Sequence, residues 1–190
     1  MQPEYPEQYQ KNVSLANGTK MLLRPIKPTD DDMMLELFNS LSKDTVYLKF
    51  FSSLKYVPRK EIEKVTRIDY KKQMAIVALV REGGDSSNSG DERTVAVGRY
   101  TVIEDEPGFA EFAIVVQDSY HGLGIGTEVL WHLAHVAKLE GVDVIVGYIM
   151  VENARMFSVL KRSGLKVKKK HWDRGVTRVD IPIEENIKIQ

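Results

Sequence analysis

Three alternating glycines, Gly122, Gly124 and Gly126, are the residues in this chain whose type and spacing point most directly to chemistry. They sit in the stretch AEFAIVVQDSYHGLGIGTEVL (Ala110–Leu130), which reads as an apolar strand, a short loop and a glycine-rich turn running into a helix. Glycine carries no Cβ, so the backbone there can approach a ligand closely. The N–H groups that open a helix have no partner within it and lie at the positive end of its dipole. Together these make an anion site suited to phosphate.

Three phosphate cradles compete for this turn. The P-loop pattern GxxxxGK[ST] requires a lysine, and none follows these glycines; Thr127 comes directly after Gly126. The dinucleotide fingerprint GxGxxG needs its third glycine one position later, and an acidic residue ending the next strand. Asp143 lies at about the right distance but precedes the apolar run Val144–Tyr148. The third cradle is Gln/Arg-x-x-Gly-x-Gly/Ala, the acetyltransferase turn that takes the pyrophosphate of coenzyme A. His121-Gly122-Leu123-Gly124-Ile125-Gly126 fits it except at the first residue. On the turn alone, a glycine-rich loop packed for its own sake is an equal reading.

The elements around the turn must be able to hold it. At 190 residues, 43% hydrophobic, the chain is long enough for one domain with a full core. Its 27 basic and 27 acidic side chains cancel, so no global field favours nucleic acid or an anionic membrane. The basic run Lys166–Lys170 reads as a solvated edge strand. With no cysteine there is no disulfide, thiolate metal site or cysteine nucleophile. His132 and His135 share a helical face, but no carboxylate joins them at ligand spacing, and no metal is expected. The polar, Pro-broken N-terminus has no apolar leader core, and no run is long enough to span a bilayer. A cytoplasmic protein is expected.

Along the chain, residues 1–17 read as an extended arm and 184–190 as a tail around a domain at 18–183. Lys20–Ile26 is a strand, Asp30 an N-cap, and Leu35, Leu37, Phe38 and Leu41 the apolar face of a helix. Thr45–Phe51 and the segment after Pro58 predict two more helices. Met74–Val80, Val95–Ile103 and Phe109–Val116 predict strands, with Gly83–Asp91 a flexible hairpin loop. Val129, Leu130, Leu133, Ala134 and Ala137 form one helical face, stopped at Gly141. Asp143–Ile149 is then a strand parallel to Phe109–Val116, if the helix crosses over between them. Asn153 caps a helix with Met156, Phe157 and Leu160 on its buried face, ended by Gly164. Leu165–Lys170 and Val176–Ile183 make a last hairpin about Asp173-Arg174-Gly175. The class is α/β, with an antiparallel meander first and one βαβ crossover second.

This order of elements resembles the GCN5-related N-acetyltransferase (GNAT) family. It is most similar to the acetyltransferase domain of bacterial protein lysine acetyltransferases, often fused to an acyl-CoA-synthetase-like domain. The phrases that carry the likeness are Leu22–Phe51, Arg67–Val80, Ala110–Gly126 and VENARMFSVLKRSGLKV (Val151–Val167), spanning about residues 20 to 180. The resemblance implies a mixed, mostly antiparallel sheet with one central, splayed parallel pair. It implies acetyl-CoA as co-substrate, with pantetheine on the backbone of Ile114, Val115 and Val116. The pyrophosphate then falls on His121, Gly122, Leu123, Gly124, Ile125, Gly126 and Thr127, with Asn153 and Met156 completing the coenzyme site. His121 departs from the usual Gln or Arg. Leu160 stands where many members carry a tyrosine acid, which the closest branch also commonly lacks.

Acetyl transfer to an amine requires the neutral amine. A lysine with a pKa of about 10.4 is neutral in only about one molecule in 2,500 at pH 7, a cost near 4.6 kcal/mol. A positioned base is therefore valuable. The resemblance points to Glu111, which alternates with Phe112 and can face the acceptor among apolar neighbours. Tyr148 and Ser158 are further candidates to orient a water or the thiol, and a main-chain N–H near Val116 is the expected oxyanion donor. The expected function is N-acetylation of a protein lysine, with an acyl-CoA synthetase as a plausible acceptor. The alternatives are acetylation of a small amine and a non-catalytic acyl-CoA sensor. Oligomeric state is left open.

Overall fold

The computed structural model describes residues 3–50, 57–81, 92–173 and 175–188. The expected loop at Gly83–Asp91 and the Arg174 turn position lie outside them. Among the described residues eight strands form one sheet in the order β1-β2-β3-β4-β5-β6-β8-β7. These are β1 (Lys11–Ser14), β2 (Lys20–Pro25), β3 (Gln73–Arg81), β4 (Glu92–Val102), β5 (Phe109–Val116), β6 (Val144–Met150), β7 (Lys168–Asp173) and β8 (Val176–Pro182). Every neighbouring pair is antiparallel except β5 and β6, which are parallel. The helices are α1 (Asp31–Asn39), α2 (Lys43–Phe50), α3 (Arg59–Thr66), α4 (Ile125–Leu139), α5 (Ala154–Ser163) and α6 (Ile183–Asn186). No helix among the described residues is long and apolar enough to cross a membrane.

The crossover helix α4 buries Val129, Leu130, Leu133, Ala134 and Ala137 completely against the sheet, as its 3.6-residue pattern predicts. It lies against β3, β4 and β5 and joins the parallel pair. Burial of Met74–Val80 in β3 explains its unbroken apolar run: a central strand covered on both faces has no polar side to show. The N-terminal segment is built into the fold. Lys11–Ser14 adds to the sheet edge beside β2, and Tyr9 and Leu15 are buried in the core.

Two details differ from the sequence reading. Asp30 occupies the N-cap position of α1, but its carboxylate makes no cap bond there. It turns instead to Arg24 and to the Lys27 N–H. On α1, Met34 joins Leu37 in the fully buried set, whereas Leu35 and Phe38 are only partly buried.

His132 on α4 is buried, with Nε2 2.6 Å from the Tyr9 carbonyl oxygen, which only an N–H can satisfy. Burial holds its pKa below the ordinary 6.5, opposed by the Tyr9 bond and reinforced by Lys11 and His135. A group whose folded pKa is depressed contributes stability above its unfolded pKa, and that stability is lost as pH falls through the folded value. Urea unfolding is therefore expected to show stability falling from about pH 7 toward pH 5, with a flatter slope in His132→Gln. An identical slope in the variant would assign the effect elsewhere.

Candidate active site

The site begins where two strands part. β5 and β6 pair only at Phe109↔Val144, Ala110↔Ile145 and Glu111↔Val146, although β5 continues to Val116 and β6 to Met150. Beyond Glu111, β5 stays on β4 and β6 stays on β8, so a cleft opens between them. Phe112 helps to set the parting: a Cβ on Gly147 would lie 2.7 Å from its ring, so the ring needs a glycine opposite it.

Hydrogen-bond parity decides what β5 offers to this cleft. The Gln117 N–H donates to the Val95 carbonyl of β4 at 2.8 Å, and the Ile103 N–H to the Phe109 carbonyl at 2.9 Å. An antiparallel ladder alternates, so the odd-numbered residues of β5 spend their amides on β4. The N–H and C=O groups of Ile114 and Val116 therefore face the parting. The carbonyl of Val116 accepts a 2.9 Å bond from His121 Nε2, as that outward direction requires. A strand edge of this kind is a ready partner for an extended ligand bearing amides.

Two adjoining cavities, of about 160 and 180 Å³, fill the cleft. The first is lined by Glu111, the β5 backbone from Phe112 to Val116, Gly147 to Ile149, Asn153 and Met156, with Thr45, Leu48 and Lys49 of α2 across it. The second is lined by Gly122, Gly124, Ile125, Gly126 and Thr127, with Arg155, Ser158 and Arg162 of α5 opposite. Val116, His121, Arg155 and Val159 line both, so the two are continuous.

The turn is built as an anion cradle. Gly122 and Gly124 have φ of +81° and +91°, left-handed values that bring the chain sharply into α4, with Gly124 as its N-cap. The first amides of the fifteen-residue α4 then face the second cavity, and Arg155 and Arg162 add positive charge. A Gly124→Val variant forces a β-branched residue into this conformation. It is expected to weaken binding of coenzyme A at least tenfold by calorimetry, from strain of about 1–2 kcal/mol and a distorted cradle. Unaltered affinity would place the anion elsewhere.

Most of the sequence-predicted residues are brought together here: Ile114, Val115, Val116, His121, Gly122, Gly124 to Thr127, Asn153 and Met156 all line the cleft. Leu123 does not; its side chain packs on the core. Asn153 Oδ1 caps α5 through the Met156 N–H at 3.0 Å, which leaves its amide N–H groups for a ligand. Tyr148 lines the first cavity and Ser158 the second, so they serve different parts of the cleft. Leu160 is buried and lines neither cavity. Glu111 lies in the first cavity but is exposed, not enclosed by apolar neighbours as expected. Asp143 sits at the far end of the parallel pair, its backbone bonded to Gly108, which removes it from the turn and excludes a dinucleotide role.

The sequence reading missed the roof of the site. Asp118 lies between β5 and the glycine turn and accepts from the Ser42 N–H at 2.9 Å, Ser42 Oγ at 2.7 Å and Thr45 Oγ1 at 2.8 Å. Arg155 stands 3.8 Å away. The carboxylate thus pins the start of α2 to the phosphate end. Desolvation alone would raise its pKa, but the Ser42 and Thr45 bonds and His121 hold it below 3.8. Its contribution is thus full above about pH 4 and is lost as pH falls below that. Asp118→Ala is expected to cost about 1.5–3 kcal/mol in urea unfolding and to raise the acceptor KM more than the coenzyme KM. Equal effects on both KM values would contradict a role in placing α2.

Residues 20–166 match the family model "Acetyltransferase (GNAT) domain". Acetyltransferase PA5475 of Pseudomonas aeruginosa is 33% identical over 128 residues, 67% of this chain and 65% of that protein. Acetyltransferase Pat of Mycolicibacterium smegmatis is 27% identical over 170 residues, 90% of this chain and 48% of that protein. The chain therefore spans less than two thirds of the length of either curated relative. Among solved structures, the GNAT domain of S. lividans PAT superposes with a TM-score of 0.81 at 25% identity, over 94% of this chain and 99% of that one. Splayed strands, glycine cradle and family match agree: the chain belongs to the GNAT acetyltransferase family.

Proposed function

We propose that this protein is an N-acetyltransferase that moves an acetyl group from acetyl-CoA to a primary amine by direct attack, and that the amine is a lysine side chain of a folded protein. The observation that carries the first part is the parting of β5 and β6 beside the glycine turn. Pantetheine amides pair with Ile114 and Val116, while the pyrophosphate rests on the amides of Gly122–Thr127 between Arg155 and Arg162. The thioester then lies near Glu111, and an outward-facing β5 N–H close to it is the donor available to the developing oxyanion. Glu111 takes the amine proton. The thiol leaves without an acid, since a thiol pKa near 8.5 makes it a good leaving group. No residue forms an acyl-enzyme.

Two features support a protein lysine. Glu111 is exposed at the mouth, where a lysine presented by another surface can reach it. Lys49 lines the cavity beside Glu111 and feels the positive charge of Arg99, and these charges disfavour a small polycationic amine such as a polyamine. The resemblance to bacterial protein lysine acetyltransferases points the same way, with an acyl-CoA synthetase as one acceptor to try. The test is mass spectrometry of acetyl transfer from acetyl-CoA to acyl-CoA synthetases and to a panel of small amines. Acetylated protein lysines support the reading. Acetylation confined to small amines moves the acceptor class, and coenzyme binding without any transfer makes the protein a sensor.

A further inference from the structure

Lys49 of α2 lines the same cavity as Glu111, the outward-facing backbone of β5 and Asn153. Among the described residues it is the one lysine that does so. It brings a primary amine of the chain itself to the place where the reaction proposed above needs one. We infer that Lys49 is an internal acetyl acceptor, modified in cis by acetyl-CoA bound in the cleft of the same molecule. This inference rests on the coenzyme A reading and goes beyond it, because it assigns a modification site within the enzyme.

Three observations support it. The first is place: α2 packs against β5, and Thr45, Leu48 and Lys49 form the wall opposite the strand that holds the thioester. The second is protonation. Burial, reinforced by the charge of Arg99 and opposed by Glu111, pushes the Lys49 ammonium down to about 8. Roughly one molecule in ten then carries the neutral amine at pH 7, against about one in 2,500 for an ordinary lysine. The third is anchorage: Asp118 holds the start of α2 through Ser42 and Thr45, so Lys49 is carried on a pinned helix rather than a loose loop. Fixed proximity of this kind replaces a bimolecular encounter with a unimolecular step.

The step balances without a further reagent. The ammonium first loses a proton to solvent. Neutral Nζ attacks the thioester carbonyl carbon, the N–C amide bond forms and the C–S bond breaks. The second nitrogen proton passes to the Glu111 carboxylate and from there to the departing thiolate, leaving acetyl-lysine and free coenzyme A.

The full chain is incubated with isotopically labelled acetyl-CoA, with calorimetry of acetyl-CoA binding alongside, and each lysine is followed by peptide mass spectrometry. Exposed Lys60 on α3 is the internal comparison. Lys49 is expected to be acetylated at least tenfold faster than Lys60. The rate should saturate with acetyl-CoA, be independent of protein concentration and be blocked by coenzyme A. Glu111→Gln, checked by calorimetry for retained coenzyme binding, should slow it at least tenfold, and Lys49→Arg should abolish the label at that peptide. Lys49 labelled no faster than Lys60, with acetyl-CoA bound, overturns the inference and leaves the coenzyme A reading standing. Equal labelling by acetyl phosphate, unaffected by coenzyme A, also overturns it, since that is chemical reactivity alone. Absence of acetyl-CoA binding removes both.

Discussion

Glu111→Gln is expected to lower kcat for acetyl transfer to an amine by roughly 10²–10⁴-fold at pH 7, while the affinity for acetyl-CoA changes little. The substitution keeps the size and polarity of the side chain and removes only its capacity to take a proton. Glu111 is the last β5 residue paired with β6, so its backbone is bonded to β4 on one side and flanked by β6 on the other just before the cleft opens. Its cross-strand neighbour is Thr101 on β4, with Arg99 diagonal to it on the same face. The loss should shrink as pH rises toward the pKa of the acceptor amine, because a neutral acceptor needs the base only for the proton released on attack. A kcat within a factor of three of the parent across that range would make Glu111 a strand residue with no part in proton transfer.

Arg24→Met is expected to destabilise the fold by about 3–5 kcal/mol in urea unfolding. Arg24 and Asp30 are 8% and 4% exposed, and they meet as a fork, Nη1 to Oδ2 at 2.7 Å and Nη2 to Oδ1 at 2.9 Å. Arg24 Nη1 also donates to the Pro25 carbonyl, and Asp30 accepts from the Lys27 N–H. Removing the guanidinium strands a buried carboxylate with one backbone donor, and that uncompensated charge dominates the cost. The double variant Arg24→Met, Asp30→Leu removes both charges and should recover most of the loss. The pair fixes the turn from β2 into α1, the route by which the chain reaches α2 and the roof of the site. A loss below about 1 kcal/mol in the single variant would mean that water reaches Asp30 readily.

The parts of the fold that were legible in sequence are those whose signals are local. β5 ends where its apolar run meets Gln117, and its bounds coincide with those predicted. Asn153 and Gly164 bracket α5 as an N-cap with a real side-chain bond and a left-handed C-cap. The glycine turn, the crossover helix and the parallel strand beyond it follow one another in only one geometry. The illegible parts depend on contacts distant in the chain. Lys11–Ser14 alternates too weakly to announce a strand, and its place comes from backbone bonds to β2. Asp30 looks like a cap because Asp residues cap, but a buried Arg six residues earlier outbids the helix for its carboxylate. Lys49 and Asp118 are 69 residues apart, and only the folded sheet brings α2 over the cleft. Arg155 and Arg162 carried a usable signal, seven residues apart on one helix and so on one face. Glu111 was identified through its strand, but its exposure was not, because the depth of a cleft mouth is set by α2.

The central claim is that the parting of β5 and β6 is the coenzyme A seat. Amide hydrogen exchange with and without coenzyme A tests it most directly, because the expected partners are backbone N–H groups. Slowed exchange is expected at Ile114 and Val116 and across Gly122–Gly126, with Ala113 and Val115, already bonded to β4, and Thr127, already bonded to Gly124, little changed. Coenzyme A binding with no protection at Ile114, Val116 or the glycine turn would contradict it.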